Sequence, residues 1–134
     1  MNIAKADYVQ HRKKILPLIR QSARKNRHDF ADNVDKALLS GRAFLFIAED
    51  GFFVLEPMGK GVVEVVFAFS FGGHACRVYQ PVIDQLARDI GADHLYFETT
   101  LRGFAVLAKE LGYVKQSQRG RVTKWVREVP YGEK

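Results

Sequence analysis
The segment Ser70-Phe71-Gly72-Gly73-His74-Ala75 stands between a run of β-formers, Val62 to Phe69, and a stretch where Ala75, Val78, Tyr79, Val82, Ile83, Leu86 and Ile90 recur every three or four residues. The first run reads as a strand and the second as an amphipathic helix closed by Gly91. A buried β-type run, His94 to Thr99, follows the helix. Strand, crossover helix and strand commit the chain to a right-handed connection and a parallel pair in one sheet. The turn into the helix is also an expected anion site. The first N–H groups of a helix lack intrahelical partners, and glycines let a pyrophosphate approach them without an intervening Cβ.

The remaining elements group around that unit. Asn2 to Lys5 reads as a short first strand and Tyr8 to Ser22 as a helix buried along Ile15, Leu18 and Ile19, with Pro17 predicting a break or an early end. Phe30, Val34, Ala37 and Leu38 mark a second short helix stopped at Gly41. Ala43 to Glu49 and Phe52 to Glu56 predict a hairpin at Asp50-Gly51, a dipeptide that accepts positive φ angles. Gly59-Lys60-Gly61 then turns the chain into the strand from Val62, which completes an antiparallel meander. Pro81 opposes the carbonyl of Arg77 and predicts a kink early in the third helix. Gly103 to Leu111 reads as a helix stopped by Gly112, and Val114 to Gln118 with Val122 to Val129 as a closing hairpin around Arg119-Gly120. The fold class is therefore α/β, a mixed central sheet in the order β-α-α-β-β-β-α-β-α-β-β with a parallel pair at its centre.

A chain of 134 residues, 47% of them hydrophobic, suits one core, so residues 1–134 are expected to form a single domain. The N-terminus has no apolar signal region and no run is long enough to span a bilayer, which predicts a soluble cytoplasmic protein with no membrane partner. Cys76 is the only cysteine, so an intramolecular disulfide is excluded. His11, His28, His74 and His94 lack metal-ligand spacing, and no metal is expected. The net charge of +6 favours anionic partners. Arg12, Lys13, Lys14, Arg20, Arg24, Lys25 and Arg27 lie in a stretch without acids between Tyr8 and His28. This reads as a solvated helix face. Nucleic acid binding through Arg12, Lys13 and Lys14 is not favoured, because no aromatic residues interleave with the charges. Dinucleotide and Walker-type loops are absent.

The element order resembles the GNAT family of acyl-CoA-dependent N-acyltransferases over nearly the whole chain. The family's pyrophosphate loop reads Gln or Arg, two residues, Gly, one residue, then Gly or Ala, and Ser70, Gly73 and Ala75 fall on that spacing. Val78-Tyr79, Leu86-Ala87-Arg88 and Gly91 are similar to the family's third helix. Leu107-Ala108-Lys109-Glu110-Leu111-Gly112-Tyr113 is similar to its fourth, and Asn2 to Ala6 with Ile15 to Ile19 to its common openings. Ser70 replaces the usual Gln or Arg, the loop is shorter than in histone-type members, and Ala108 replaces a tyrosine that in many members protonates the leaving thiolate.

The resemblance implies acetyl-CoA or another acyl-CoA as cosubstrate, with Phe67, Phe69, Ser70, Phe71, Gly72, Gly73, His74, Ala75 and Cys76 as cofactor-binding residues. It also implies direct attack by an amine of unknown identity on the thioester. Such an amine must be neutral, so a carboxylate or an ordered water has to accept its proton. A backbone N–H on the fourth strand is the expected donor to the oxyanion. Glu64 is the first candidate base, Glu98 near the end of the next parallel strand the second and Glu56 a distant third. His74 and Cys76 are adjacent without an orienting partner and do not make a nucleophilic pair. A helix N-terminus can lower a thiol pKa, which would make Cys76 oxidisable without making it functional, and its plain role is that of a small packing residue. Phe67, Phe69 and Phe71 read as core and pocket wall. Two other readings stay open: a catalytically degenerate GNAT-like protein acting by binding, such as a phage structural factor, and a basic nucleic-acid-binding module.

Overall fold
The β-branched and aromatic runs of the chain assemble into one mixed sheet with helices on both faces. The structure, a computed structural model, describes residues 3–25, 29–71, 75–100 and 103–131. In chain order the elements are β1 (Ile3–Ala6), α1 (Tyr8–Lys25), α2 (Ala31–Leu39), β2 (Phe44–Ala48), β3 (Gly51–Gly59) and β4 (Val62–Ser70), then α3 (Ala75–Asp89), β5 (His94–Thr99), α4 (Phe104–Glu110), β6 (Val114–Arg119) and β7 (Val122–Glu128). The strands lie in the order β1-β2-β3-β4-β5-β7-β6, and β4–β5 is the parallel pair. The expected α/β architecture is present, element for element.

Each face of the sheet carries its own apolar core. On one side Tyr79, Ile83 and Ala87 of α3 and Ala108 of α4 pack on Phe53, Leu55, Val63, Leu95 and Trp125. On the other, Ile15, Ile19 and Ala23 of α1 and Val34, Ala37 and Leu38 of α2 cover Leu45, Phe52 and Val54. A partly buried ion pair, Arg127 to Asp84 at 2.8 Å, ties β7 to α3. Tyr8 and Arg12 of α1 both donate to Asp35 of α2, at 2.6 Å from the tyrosine and 2.8 to 2.9 Å from the guanidinium.

Three local expectations need correction. Pro17 does not end α1, which runs on to Lys25. Pro17 and Lys13, whose carbonyl loses its partner, are both exposed, so water takes over that carbonyl while Ile15, Leu16 and Ile19 hold the helix from the buried side. Pro81 and Arg77 share the same exposed disposition on α3, and that helix also continues unbroken. The β2–β3 hairpin turns at Glu49-Asp50, since Ala48 pairs with Gly51, and none of these residues has a positive φ. Gly51 is small for another reason: a Cβ there would lie 2.0 Å from the carbonyl oxygen of Phe69 and 2.6 Å from the Tyr79 hydroxyl.

Candidate active site where two strands part
Strands β4 and β5 begin as a regular parallel pair and then separate. Their register holds at Val62 with His94, Val63 with Leu95 and Glu64 with Tyr96, and stops there, although β4 continues to Ser70 and β5 to Thr99. A bulge in β4 accompanies the parting. Leu55 faces Val65 while Val54 faces Phe67, which leaves Val66 as an extra residue. The bulge bends the strand and turns both Val66 and Phe67 toward the α1–α2 side. Beyond Glu64 the edge of β4 that faces β5 no longer takes part in a ladder. Its backbone groups are thus presented to whatever enters between the strands.

Glu64 sits at the apex of the split. Val63 and Val65 point into the α3–α4 core, so alternation directs Glu64 to the opposite face, with Tyr96 beside it. The Tyr96 hydroxyl donates to Glu64 Oε1 at 3.2 Å. Burial raises the Glu64 carboxyl above its ordinary range; the Tyr96 hydrogen bond opposes this, and the nearby charges of Glu98 and Glu56 add to it. Burial, reinforced by the charge of Glu64, raises the Tyr96 hydroxyl, so it stays a donor. Glu98 is exposed and faces Lys124 across β7, and the Lys124 ammonium lies 4.2 Å from the Tyr96 ring centroid. Glu56 pairs in register with Glu64 and lies 3.7 Å from Arg42. The three sequence-predicted carboxylates thus share one face, and Glu64 is the one at the split. Tyr96 was missed in the sequence, where its alternation with Glu98 on a short strand was the available signal.

At the far end of β4 lies the turn into α3. Gly72, Gly73 and His74 fall outside the described residues. On their flanks, Phe71 is exposed and packs edge-on against Phe69 at 5.0 Å, and Ala75 with Cys76 opens α3 half-buried. Phe67 stacks on Phe52 at 5.6 Å and Phe69 lies tilted against it at 5.7 Å, as wall and core of the α1–α2 side. The Ser70 side chain is buried and donates to Asp50 at 3.2 Å. At Cys76, half-buried where α3 opens, burial pushes the thiol up to about 11. Ala108 is fully buried in the core and supplies no proton donor.

Other regions offer less. Arg12 is paired with Asp35 at 2.8 Å, while Lys13 and Lys14 are exposed. Among the described residues no group of three His, Cys, Asp or Glu side chains is placed to hold a metal, and no helix is long and apolar enough to cross a membrane. A shallow groove of about 680 Å³ lies among α4, β6 and β7, bordered by Lys109, Lys115 and Trp125, and takes no residue from β4, β5 or α3.

A seven-stranded mixed sheet with a parted parallel pair and a strand-to-helix turn at the end of β4 defines the fold of the GNAT acetyltransferases. An aminoglycoside 6'-N-acetyltransferase complexed with coenzyme A matches over 100% of both chains, with a TM-score of 0.74 at 10% identity. The PaiA N-acetyltransferase of Thermoplasma acidophilum, in complex with coenzyme A, matches 96% of this chain and 99% of its own, at a TM-score of 0.66 and 11% identity. Tetrahymena GCN5 matches 96% of this chain and 95% of its own, at 0.67 and 12%. No family model and no curated protein matches the sequence. At these identities the likeness is one of fold.

Proposed function
We propose that the protein is an acyl-CoA-dependent N-acyltransferase that moves an acetyl group from acetyl-CoA to an amine. The observation that carries this reading is the parting of β4 from β5 directly after Glu64 and Tyr96, which leaves a strand edge free beside a half-buried carboxylate. Acetyl-CoA supplies an activated thioester. The edge of β4 past Glu64 offers N–H groups to its acyl arm and to the oxyanion that forms during transfer. The turn from Phe71 through Gly72, Gly73 and His74 to Ala75 and Cys76 receives the pyrophosphate, with the helix dipole of α3 behind it.

Glu64 accepts the proton of the amine, directly or through one water. Its raised pKa suits this role, because a base works best when its affinity for the proton approaches that needed at working pH. Tyr96 holds the carboxylate in place through its hydroxyl. Glu98, two residues further along the same face, is the alternative base. With Ala108 at its position on α4, the thiolate leaves as the anion or takes its proton from water. The substitution favours slow turnover, and CoA binding without turnover is the outcome that would mark a binding protein instead.

Calorimetric titration with acetyl-CoA, followed by thiol release in the presence of an amine panel, tests the reading. Saturable binding and amine-dependent release are expected. Absence of both heat and thermal stabilisation at millimolar acetyl-CoA would refute it.

A further inference from the structure
Asp50 holds both flanks of the β4–α3 connection at once. Its Oδ2 accepts from the Ser70 hydroxyl at 3.2 Å, its Oδ1 accepts from the Tyr79 hydroxyl at 2.9 Å, and its carbonyl accepts from the N–H of Phe71 at 2.7 Å. Ser70 is the last residue of β4, and Tyr79, in the second turn of α3, is wholly buried. The neighbouring turn has no slack, since Gly51 lies against the Phe69 carbonyl and the Tyr79 hydroxyl with no room for a Cβ. The two oxygens of one planar carboxylate therefore set the separation between the strand end and the start of the helix. Burial, with Asp50 adding to it, raises the Tyr79 hydroxyl to about 12, so it remains a donor at working pH.

We propose that Asp50 is a positioning residue for the diphosphate of acyl-CoA, acting through Ser70 and Tyr79 to hold the end of β4 and the opening of α3 at the spacing the anion needs. The role rests on the acyl-CoA reading above. It gives Ser70 a task other than touching the ligand: its hydroxyl donates to Asp50 in the β2–β3 hairpin. Asp50 touches no substrate, so its removal should weaken the half of the ligand that rests on the turn and spare the half that lies along β4.

CoA and pantetheine, which lacks the diphosphate, separate these halves. In Asp50→Ala, which takes the acceptor from both hydroxyls, the affinity for CoA should fall at least about tenfold, the size that goes with losing hydrogen bonds to a charged group, while pantetheine binding stays within about twofold. Tyr79→Phe removes one donor only and should show the same selective loss, which keeps the test open if Asp50→Ala folds poorly. Asp50→Asn retains an acceptor oxygen and should recover most of the CoA affinity. Loss of CoA and pantetheine in equal proportion, or no loss in either variant, would overturn the positioning role. Failure of the wild type to bind CoA would overturn the acyl-CoA reading itself and the role with it.

Discussion

Replacing Glu64 by Gln separates catalysis from architecture at the split. The amide keeps the length of the side chain and an oxygen for the Tyr96 hydroxyl, which donates to Glu64 Oε1 at 3.2 Å, so the strands should part as before. What disappears is the base. A positioned general base contributes about 10² to 10⁴ in rate, roughly 3 to 5 kcal/mol of barrier. Turnover should fall by that factor at neutral pH with CoA affinity unchanged, and the deficit should shrink at alkaline pH, where more of the amine is already neutral. Stability should move the other way. The folded-state pKa of Glu64 lies above its ordinary value of 4.5, so the folded protein holds this proton more tightly than the unfolded chain, and ionisation destabilises the fold as pH rises through that window. Glu64→Gln should therefore be more stable than wild type at neutral pH and lose the advantage in acid. Steady-state thiol release across pH, together with denaturant melts in acid and at neutrality, reads both effects. An undiminished rate in Glu64→Gln alongside a collapse in Glu98→Gln would refute the assignment and move the base to β5.

Three other substitutions or treatments have defined outcomes. Gly51→Ala puts a Cβ about 1 Å inside the closest distance real Cβ atoms keep, against a backbone carbonyl held in the β3–β4 ladder, so it should destabilise by at least the roughly 1–3 kcal/mol typical of overpacking, read as a lowered denaturation midpoint. Asp35→Ala strips the acceptor from Tyr8 and Arg12 and should lower stability by about 1–3 kcal/mol at neutral pH. Arg12 holds the Asp35 carboxyl below its ordinary 3.8, so this stabilisation is present above that value and lost as pH falls through the folded pKa, where wild type and variant melts should converge. The Cys76 thiol, raised from 9.0 to about 11, should alkylate at least about tenfold more slowly than a free cysteine at neutral pH, since the smaller thiolate fraction is partly offset by a more nucleophilic thiolate, measured by iodoacetamide labelling followed by mass spectrometry.

Elements whose signals are local were legible from the residues alone. β5 falls at His94–Thr99 as the apolar run between Gly91 and the next helix implies, and the parallel pair follows from the crossover. The prolines misled because their local effect depends on which side of the helix they occupy, and exposure at Pro17 and Pro81 lets solvent replace the lost bond. Asp50-Gly51 was read as turn chemistry, whereas Gly51 is demanded by Phe69 and Tyr79, residues brought to it only by tertiary folding. The candidate site was half legible. Glu64 could be named from its strand, but the place where β4 and β5 part, just before the extra residue Val66, lies in a register no local pattern reveals. Tyr96 and Asp50 were missed because their importance lies in partners twenty or more residues away.

The short parallel ladder also governs how the molecule comes apart. Strands β1 to β4 form one hydrogen-bonded ribbon and β5 to β7 another, and three rungs join the two. Side chains bridge what the backbone does not: Phe53 and Val63 from the first ribbon share a core with Leu95 and Trp125 from the second, under Tyr79 and Ile83 of the connecting helix. All-or-none melting of the two ribbons therefore rests on packing more than on sheet hydrogen bonding. A cavity opened at Val63 or Leu95 would uncouple them, turning one cooperative transition into two, while an equal loss at Ile15, which packs on the first ribbon alone, would lower the midpoint and leave the transition single.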